Sequence, residues 1–190
     1  EKKTDRFERK EKEQLFETIR HGVPQLTRLR HPSMLTVQHN LEESRDLIAF
    51  ATEPVLGSLA NFFDQSFVRD QSKDGKFEFY DIEIKYGLLQ IAEGLQFLHK
   101  DARILHRNIC PENILVNRNG IWKLAGFDFS VQTLNPNEQP YKFLSLKVIA
   151  DLSLEIQPNF TYSAPEHFQL SPSSENCIID TSSDIFSLGM

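Results

Sequence analysis

The sequence predicts an α+β fold, with a small strand-containing part joined to a larger and mostly helical one. Three observations carry that prediction. Residues 81–100 hold an apolar stripe at helical spacing, Ile84, Leu88, Ile91, Leu95 and Leu98. Two short β-rich runs, 34–38 and 47–52, bracket the polar turn Glu42-Glu43-Ser44-Arg45-Asp46. Two more, 114–116 and 121–124, flank Asn117-Arg118-Asn119-Gly120, a strong hairpin signal.

The elements follow in order. Residues 5–29 are helical by spacing, since Phe16, Ile19, Val23, Leu26 and Leu29 fall three or four apart. Gly22 and Pro24 interrupt that pattern, so a kink or break is expected near 21–24. The runs 34–38 and 47–52 pair antiparallel. A short helix around 58–63 leads into a polar stretch, 64–79, without periodicity. The 81–100 helix has Asp81 as its expected N-cap, and its apolar content predicts a mostly buried element. Residues 129–163 are long and irregular, the mark of a functional or mobile segment.

Composition narrows the function. With 190 residues the chain is one domain or part of a larger one. Apolar residues make up 39 %, enough for a core, and 15 are Phe. A net charge of -6 gives no basic face for nucleic acid. The charge run from Glu1 to Glu13 alternates in sign and reads as a solvated helix face. Cys110 and Cys177 make neither a metal-spaced pair nor a disulfide framework, so a reducing compartment is expected. No run reaches the ~20 apolar residues of a membrane span. The chain starts inside a helical pattern and stops in an apolar stretch, so it reads as a piece of a longer protein that would not fold well alone.

The polar stretches carry the chemistry. His106-Arg107-Asn108 is followed by Asn113, then by Gly126-Phe127-Asp128, Ala164-Pro165-Glu166 and Asp184-Ile185-Phe186-Ser187-Leu188-Gly189. Four motifs in this order and spacing resemble the protein kinase family over nearly the whole chain, from the helix that family calls αC to the start of αF. Kinases carry His-Arg-Asp with a following Asn, then Asp-Phe-Gly. The resemblance implies a kinase-like fold cut at both ends. Residues 1–52 would be the small-lobe part, 53–57 the hinge and 58–190 the large-lobe part.

The same resemblance shows what is missing. The loop Asp that accepts the substrate's proton is Asn108, an amide that does not titrate near neutral pH; losing a general base costs about 10²–10⁴ in rate. The Asp that holds Mg²⁺ against the phosphates is Gly126, which has no side chain. No catalytic residue is therefore intact. Asn113 and Asp128 are the remaining metal candidates, and one amide is a poor site for a hard cation. Cys110 stands where kinases place a Lys. Gly22 stands where αC carries its Glu, with Glu17 as a substitute if the helix is rotated. Adenine would meet Thr52, the Glu53 carbonyl, the Val55 amide and Leu115; these residues equally well just close a core. The stacked spine of the family carries over to Leu26, Val37, His106 and Phe127, with Asp184 anchoring the loop. Arg107 either grips a phosphate or braces the loop. Thr133, Ser145, Ser153 and Thr161 are unspecific phosphosite candidates.

Longer stretches narrow the family. Residues 23–32, Leu35-Thr36-Val37-Gln38-His39, 41–46, Thr52-Glu53-Pro54-Val55, 85–90 and Gly126-Phe127-Asp128-Phe129 look like the Scy-like pseudokinases, in the branch associated with clathrin-coated vesicles. That resemblance implies a scaffold or adaptor, peripheral on the trans-Golgi network, endosomes and coated vesicles in the cytoplasm. Its partners would be coat or adaptor proteins, bound through regions outside these residues. No cofactor would be required, and ATP with Mg²⁺ would bind weakly. Two other readings stay open: an unconventional slow Ser/Thr kinase, and an ATP-binding switch without transfer.

Overall fold

Helix α1 (Lys2–Arg28) begins the fold and buries its C-terminal end, with Val23 and Leu26 turned into the core and Leu29 just beyond it. The computed structural model describes residues 2–44, 47–64, 79–132, 141–144, 157–168 and 176–190. The break expected near 21–24 is absent, because α1 runs without interruption through Gly22 and Pro24. Pro24 removes one backbone hydrogen bond. Burial of Val23, Leu26 and Leu29 offsets that loss, since each such side chain contributes about 1.5–3 kcal/mol when fully buried.

Strands β1 (Val37–Glu43) and β2 (Ile48–Thr52) form the expected antiparallel pair, with Val37 opposite Thr52 and Glu43 opposite Ile48. The first strand starts later than its apolar pattern suggests and takes in Glu42 and Glu43. Met34 and Leu35 serve another purpose. Leu35 N–H donates to the Leu124 carbonyl at 3.0 Å, and Leu124 N–H donates to the Ser33 carbonyl at 2.7 Å. These bonds tie the segment after α1 directly to the central hairpin.

That hairpin belongs to a three-stranded antiparallel sheet. Strand β3 (Val55–Ser58) lies beside the strand β5 (Ile114–Asn117), which pairs in turn with β6 (Trp122–Leu124). Ser58 ends β3 and caps the short helix α2 (Leu59–Phe63): its Oγ accepts Asn61 N–H at 3.2 Å, and Asn61 Oδ1 accepts Ser58 N–H at 2.9 Å.

Helix α3 (Asp81–Phe97) continues as a π-helical turn, Leu98–Ala102. Asp81 lies in the first turn and is not the N-cap; Tyr80 holds that place, and its N–H donates to Glu83 at 2.8 Å. Only the C-terminal half of the apolar stripe is buried. Ile91, Leu95 and Leu98 have no exposed surface, whereas Ile84 and Leu88 line an apolar cavity of about 210 Å³ that reaches Leu188 and Met190. The reason is local: Met34 packs on Gly94 in the C-terminal half, whereas Trp122 packs on Gly87 and leaves Ile84 and Leu88 beside it on an open groove.

The left-handed Arg103 (φ 58°) turns the chain into β4 (Ile104–Leu105), paired antiparallel with β7 (Val131–Gln132). Strands β8 (Tyr141–Leu144) and β9 (Asn176–Ile179) pair antiparallel, and α4 (Ser182–Gly189) closes the described chain. One core cluster joins α1, α3, β5, β6 and the 127 turn.

Candidate functional site

The loop 106–113 is suspended from one buried carboxylate. Asp184, on the first turn of α4, is fully buried. Its Oδ2 accepts His106 N–H at 2.8 Å and His99 Nε2–H at 2.9 Å, and its Oδ1 accepts Arg107 N–H at 2.8 Å. Burial alone would raise the Asp184 carboxyl, but the His99 hydrogen bond, the His106 ring and the His106 amide hold it below its ordinary value. Arg107 needs this support because its backbone is left-handed (φ 66°).

His106 is buried and uses both ring nitrogens. Its Nε2–H donates to the Ala125 carbonyl at 2.8 Å, and its Nδ1 accepts Asn108 N–H at 3.3 Å. Burial lowers its pKa against the opposing pull of the Asp184 carboxylate. It meets Phe127 edge to face at 4.6 Å between centroids. Leu26 lies in the same core cluster, and Val37 packs against that cluster from its edge.

Asn108 faces the segment 157–163. Its Oδ1 accepts Asn159 N–H at 3.0 Å, and Asn159 Nδ2 donates to Glu112 at 3.2 Å. Asn113 Nδ2 donates to the Asn108 carbonyl at 2.9 Å. The Asn113 amide lies over Gly126, close enough that any side chain at 126 would overlap it. Gly126 is left-handed (φ 73°), which suits a residue without Cβ. Asp128 sits on the far side of this turn, with its carboxylate against Gly22 of α1. Burial raises its pKa. Cys110 is buried, and burial followed by the Glu112 carboxylate pushes its thiol up to about 12.

The hinge residues are fastened by their side chains. Thr36 N–H donates to Glu53 Oε1 at 2.9 Å, Asn117 Nδ2 to Oε2 at 3.2 Å, and Lys123 Nζ lies 3.2 Å from Oε1. Burial would raise the Glu53 carboxyl, yet these three partners hold it below its usual range. Thr52 Oγ1 donates to the Glu53 carbonyl at 3.0 Å, the acceptor that an adenine amine would use. Val55 opens β3, and Leu115 lies opposite Ser58 in β5, packed against the core.

The family model of the protein kinase domain matches residues 2–190. The chain belongs to the protein kinase domain family. It is 48 % identical, over 97 % of its length, to the human SCY1-like protein 2, of which it covers 20 %. It is 33 % identical over 92 % to the protein kinase domain-containing protein ppk32 of Schizosaccharomyces pombe, covering 23 % of that protein. A Dictyostelium discoideum relative with 26 % identity over 83 % of the chain, and 19 % of its own length, is named a probable inactive serine/threonine-protein kinase scy1. The chain therefore spans about a fifth of the length of the curated relatives it matches.

For a kinase domain the arrangement is chemically poor. A metal between the phosphates needs oxygen donors, and Gly126 offers none. The Asn113 amide covers Gly126, while the Asp128 carboxylate faces α1. These residues do not fit a divalent cation. Among the described residues no cluster of three or more His, Cys, Asp and Glu could hold one. Glu17 does not replace the missing αC acid: it is exposed and bonds Arg20 at 2.6 Å. Of the phosphosite candidates, Thr161 lies in an exposed 3-10 turn with its N–H on Asn159 Oδ1 at 3.1 Å. Thr133, Ser145 and Ser153 lie outside the described residues. No helix among the described residues is long and apolar enough to cross a membrane.

Sequence reasoning misses four residues here. His99 on Asp184, Lys123 on Glu53 and Asn159 on Asn108 are each brought in by tertiary contact, with no local signal. The fourth is His167, buried behind Arg107.

Proposed function

We propose that this chain is a pseudokinase domain that serves as a protein scaffold rather than a phosphoryl-transfer enzyme. The observation that carries the reading is Gly126 with the Asn113 amide lying over it, which leaves position 126 without the carboxylate that holds the metal in phosphoryl transfer. Asn108 supports it: its side-chain oxygen accepts a backbone N–H of the chain itself, and it has no basic site for a substrate proton.

The likeness to SCY1-like proteins supports the finer part of the proposal. The full protein would act as an adaptor in clathrin-linked traffic between the trans-Golgi network, endosomes and plasma membrane. It would work in the cytoplasm, peripheral to those membranes, with coat or adaptor proteins bound outside these residues.

Thermal melting of the full-length protein with millimolar ATP, with and without Mg²⁺, together with a phosphotransfer assay, tests the domain reading. The expected result is no Mg²⁺-dependent rise in Tm and no incorporation. A Mg²⁺-dependent rise with incorporation that disappears in Asp128→Ala would establish a slow kinase instead. A rise without incorporation would establish an ATP-binding switch. Affinity capture with purified clathrin and adaptor subunits tests the traffic reading, which absence of binding to all of them would overturn.

A further inference from the structure

Only two residues join the strands of the small-lobe part to the sheet of the large-lobe part. Strand β2 ends at Thr52, and β3 begins at Val55, whose partner across the sheet is Asn117. The joint is therefore Glu53 and Pro54. Hinges turn by letting a few residues change φ and ψ. The ring of Pro54 fixes its φ, and Glu53, as the residue before a proline, is biased to extended conformations. The covalent structure alone makes this a stiff joint.

Glu53 is also held at each of its polar groups. Its N–H donates to the Thr36 carbonyl at 2.9 Å, and its carbonyl accepts Thr52 Oγ1–H at 3.0 Å. Its carboxylate reaches both parts at once. From the small-lobe part, Thr36 N–H donates to Oε1 at 2.9 Å. From the large-lobe part, Lys123 Nζ lies 3.2 Å from Oε1, and Asn117 Nδ2–H donates to Oε2 at 3.2 Å. Asn117 cannot turn its amide over, because its Oδ1 already accepts Asn119 N–H at 2.9 Å and Ile121 N–H at 3.0 Å. Lys123 is buried, and a buried ammonium parted from its carboxylate is costly. The bonds of Leu35 and Ser33 to Leu124 cross between the same two parts. A swing of one part against the other would break all of these together.

We propose that Glu53 is a rivet that locks this joint: α1 and the β1–β2 pair move as one body with the β3–β5–β6 sheet and α3, and do not open and close on them as a separate lobe. A surface that spans both parts is then preformed for a partner. The lock is independent of the scaffold reading, since neither Asn108 nor Gly126 takes part in it.

Hydrogen exchange of the full-length protein, read by mass spectrometry at single-amide resolution, tests the lock. Lys123→Met removes a large-lobe partner and leaves the Thr36–Glu53 bond in place. With a riveted joint, Leu35 and Thr36 on the other side should still exchange faster, by about tenfold or more, the factor expected when one buried hydrogen-bonding group loses its partner. Amides inside a single part, in the β1–β2 pair and in α3 from Ile91 to Leu95, should keep their rates. Glu53→Gln should speed Leu35 and Leu124 in the same way, because its NH₂ group would face a donor, Asn117 Nδ2 or Lys123 Nζ. Each variant decides the matter alone if the other fails to fold. Where both fold, the double variant should add little to the stronger single one, since the two remove one rivet. Unchanged exchange at the crossing amides would overturn the proposal. Equal acceleration in α3 would overturn it too, since the pair would then hold the whole domain and not the joint, as would fully additive effects in the double variant.

Discussion

Replacing Asp184 should loosen the whole 106–113 loop, by an amount the hydrogen bonds fix. Its two oxygens accept three N–H groups, from His99, His106 and Arg107. In Asp184→Asn one oxygen becomes an NH₂ group. If the amide oxygen takes the Oδ2 position it keeps His99 and His106, and Arg107 N–H then faces another donor. Leaving one buried donor unsatisfied costs about 1–3 kcal/mol, so this variant should lose roughly 2 kcal/mol. Asp184→Ala removes all three acceptors and should lose about 3–5 kcal/mol, the range seen when a buried charged partner is deleted. At roughly 2–4 °C per kcal/mol for a domain of this size, Tm falls by about 6 °C in the first variant and about 12 °C in the second. Calorimetry of the full-length protein gives both numbers, and hydrogen exchange of peptides spanning 104–113 localises the loss. The linked pH dependence has a definite sign. The folded pKa of Asp184 lies below its ordinary 3.8, so its contribution is fully present above about pH 4 and is lost as pH falls through the depressed folded value. An Asp184→Asn protein that melts within 1 °C of the parent, or an Asp184→Ala protein no worse than Asp184→Asn, would refute the argument.

Other outcomes follow from the same geometry. Glu53→Gln and Lys123→Met should show a coupling of about 1–3 kcal/mol in a double-mutant cycle of denaturant unfolding, because the two charged groups meet where little water reaches. His167, buried and facing Arg107, has its pKa lowered from 6.5 to about 4; between those pH values the unfolded chain binds a proton that the folded one does not. Stability should therefore fall by up to about 1.4 kcal/mol per unit on acidification through that window, and His167→Phe should flatten the profile measured by urea titration. Cys110, buried with its thiol pushed up to about 12, should resist iodoacetamide at pH 8 in the native protein and react after unfolding, as mass spectrometry would show. Asn108→Asp should change stability by less than about 0.5 kcal/mol, since the carboxylate still accepts Asn159 N–H, and Gly126→Asp should cost about 1–3 kcal/mol because a left-handed backbone acquires a side chain against Asn113; neither variant alone should incorporate phosphate.

The legible parts of the fold are those written in local pattern. Leu95 and Leu98 follow helical spacing onto the core, and Asn119-Gly120 turns the hairpin where expected. His106 of the 106–113 motif meets Phe127 of the 126–128 motif edge to face, two motifs linked in the sequence by order and spacing. What escapes the sequence is direction. Pro24 predicts a broken helix when read alone; buried neighbours keep α1 whole. Asp128 counts as a metal candidate by position, but the space it fills is made by Gly22, a residue 106 positions earlier that no local rule connects to it. The hinge likewise suggests backbone contacts to adenine, and nothing local says that the Glu53 side chain binds Lys123 and Asn117.

The pattern of acids kept and lost has a common physical cause. An amide accepts hydrogen bonds at one oxygen, whereas a carboxylate accepts at two. Asn108 has one structural N–H to accept, that of Asn159, so an amide meets the demand there. Asp184 has donors on both oxygens, and an amide would leave one of them facing a hydrogen. Hydrogen bonding within the fold therefore calls for a carboxylate at 184 and is met by an amide at 108. Gly126 extends the rule: position 126 has a backbone that turns left-handed beneath Asn113, and glycine does that at the least steric cost. Comparing Asn108→Asp with Asp184→Asn puts the rule to measurement, since the two swap the same pair of side chains in opposite directions. The first should be nearly silent in a melt and the second should not; equal effects would mean that acceptor count does not decide which acids this domain keeps.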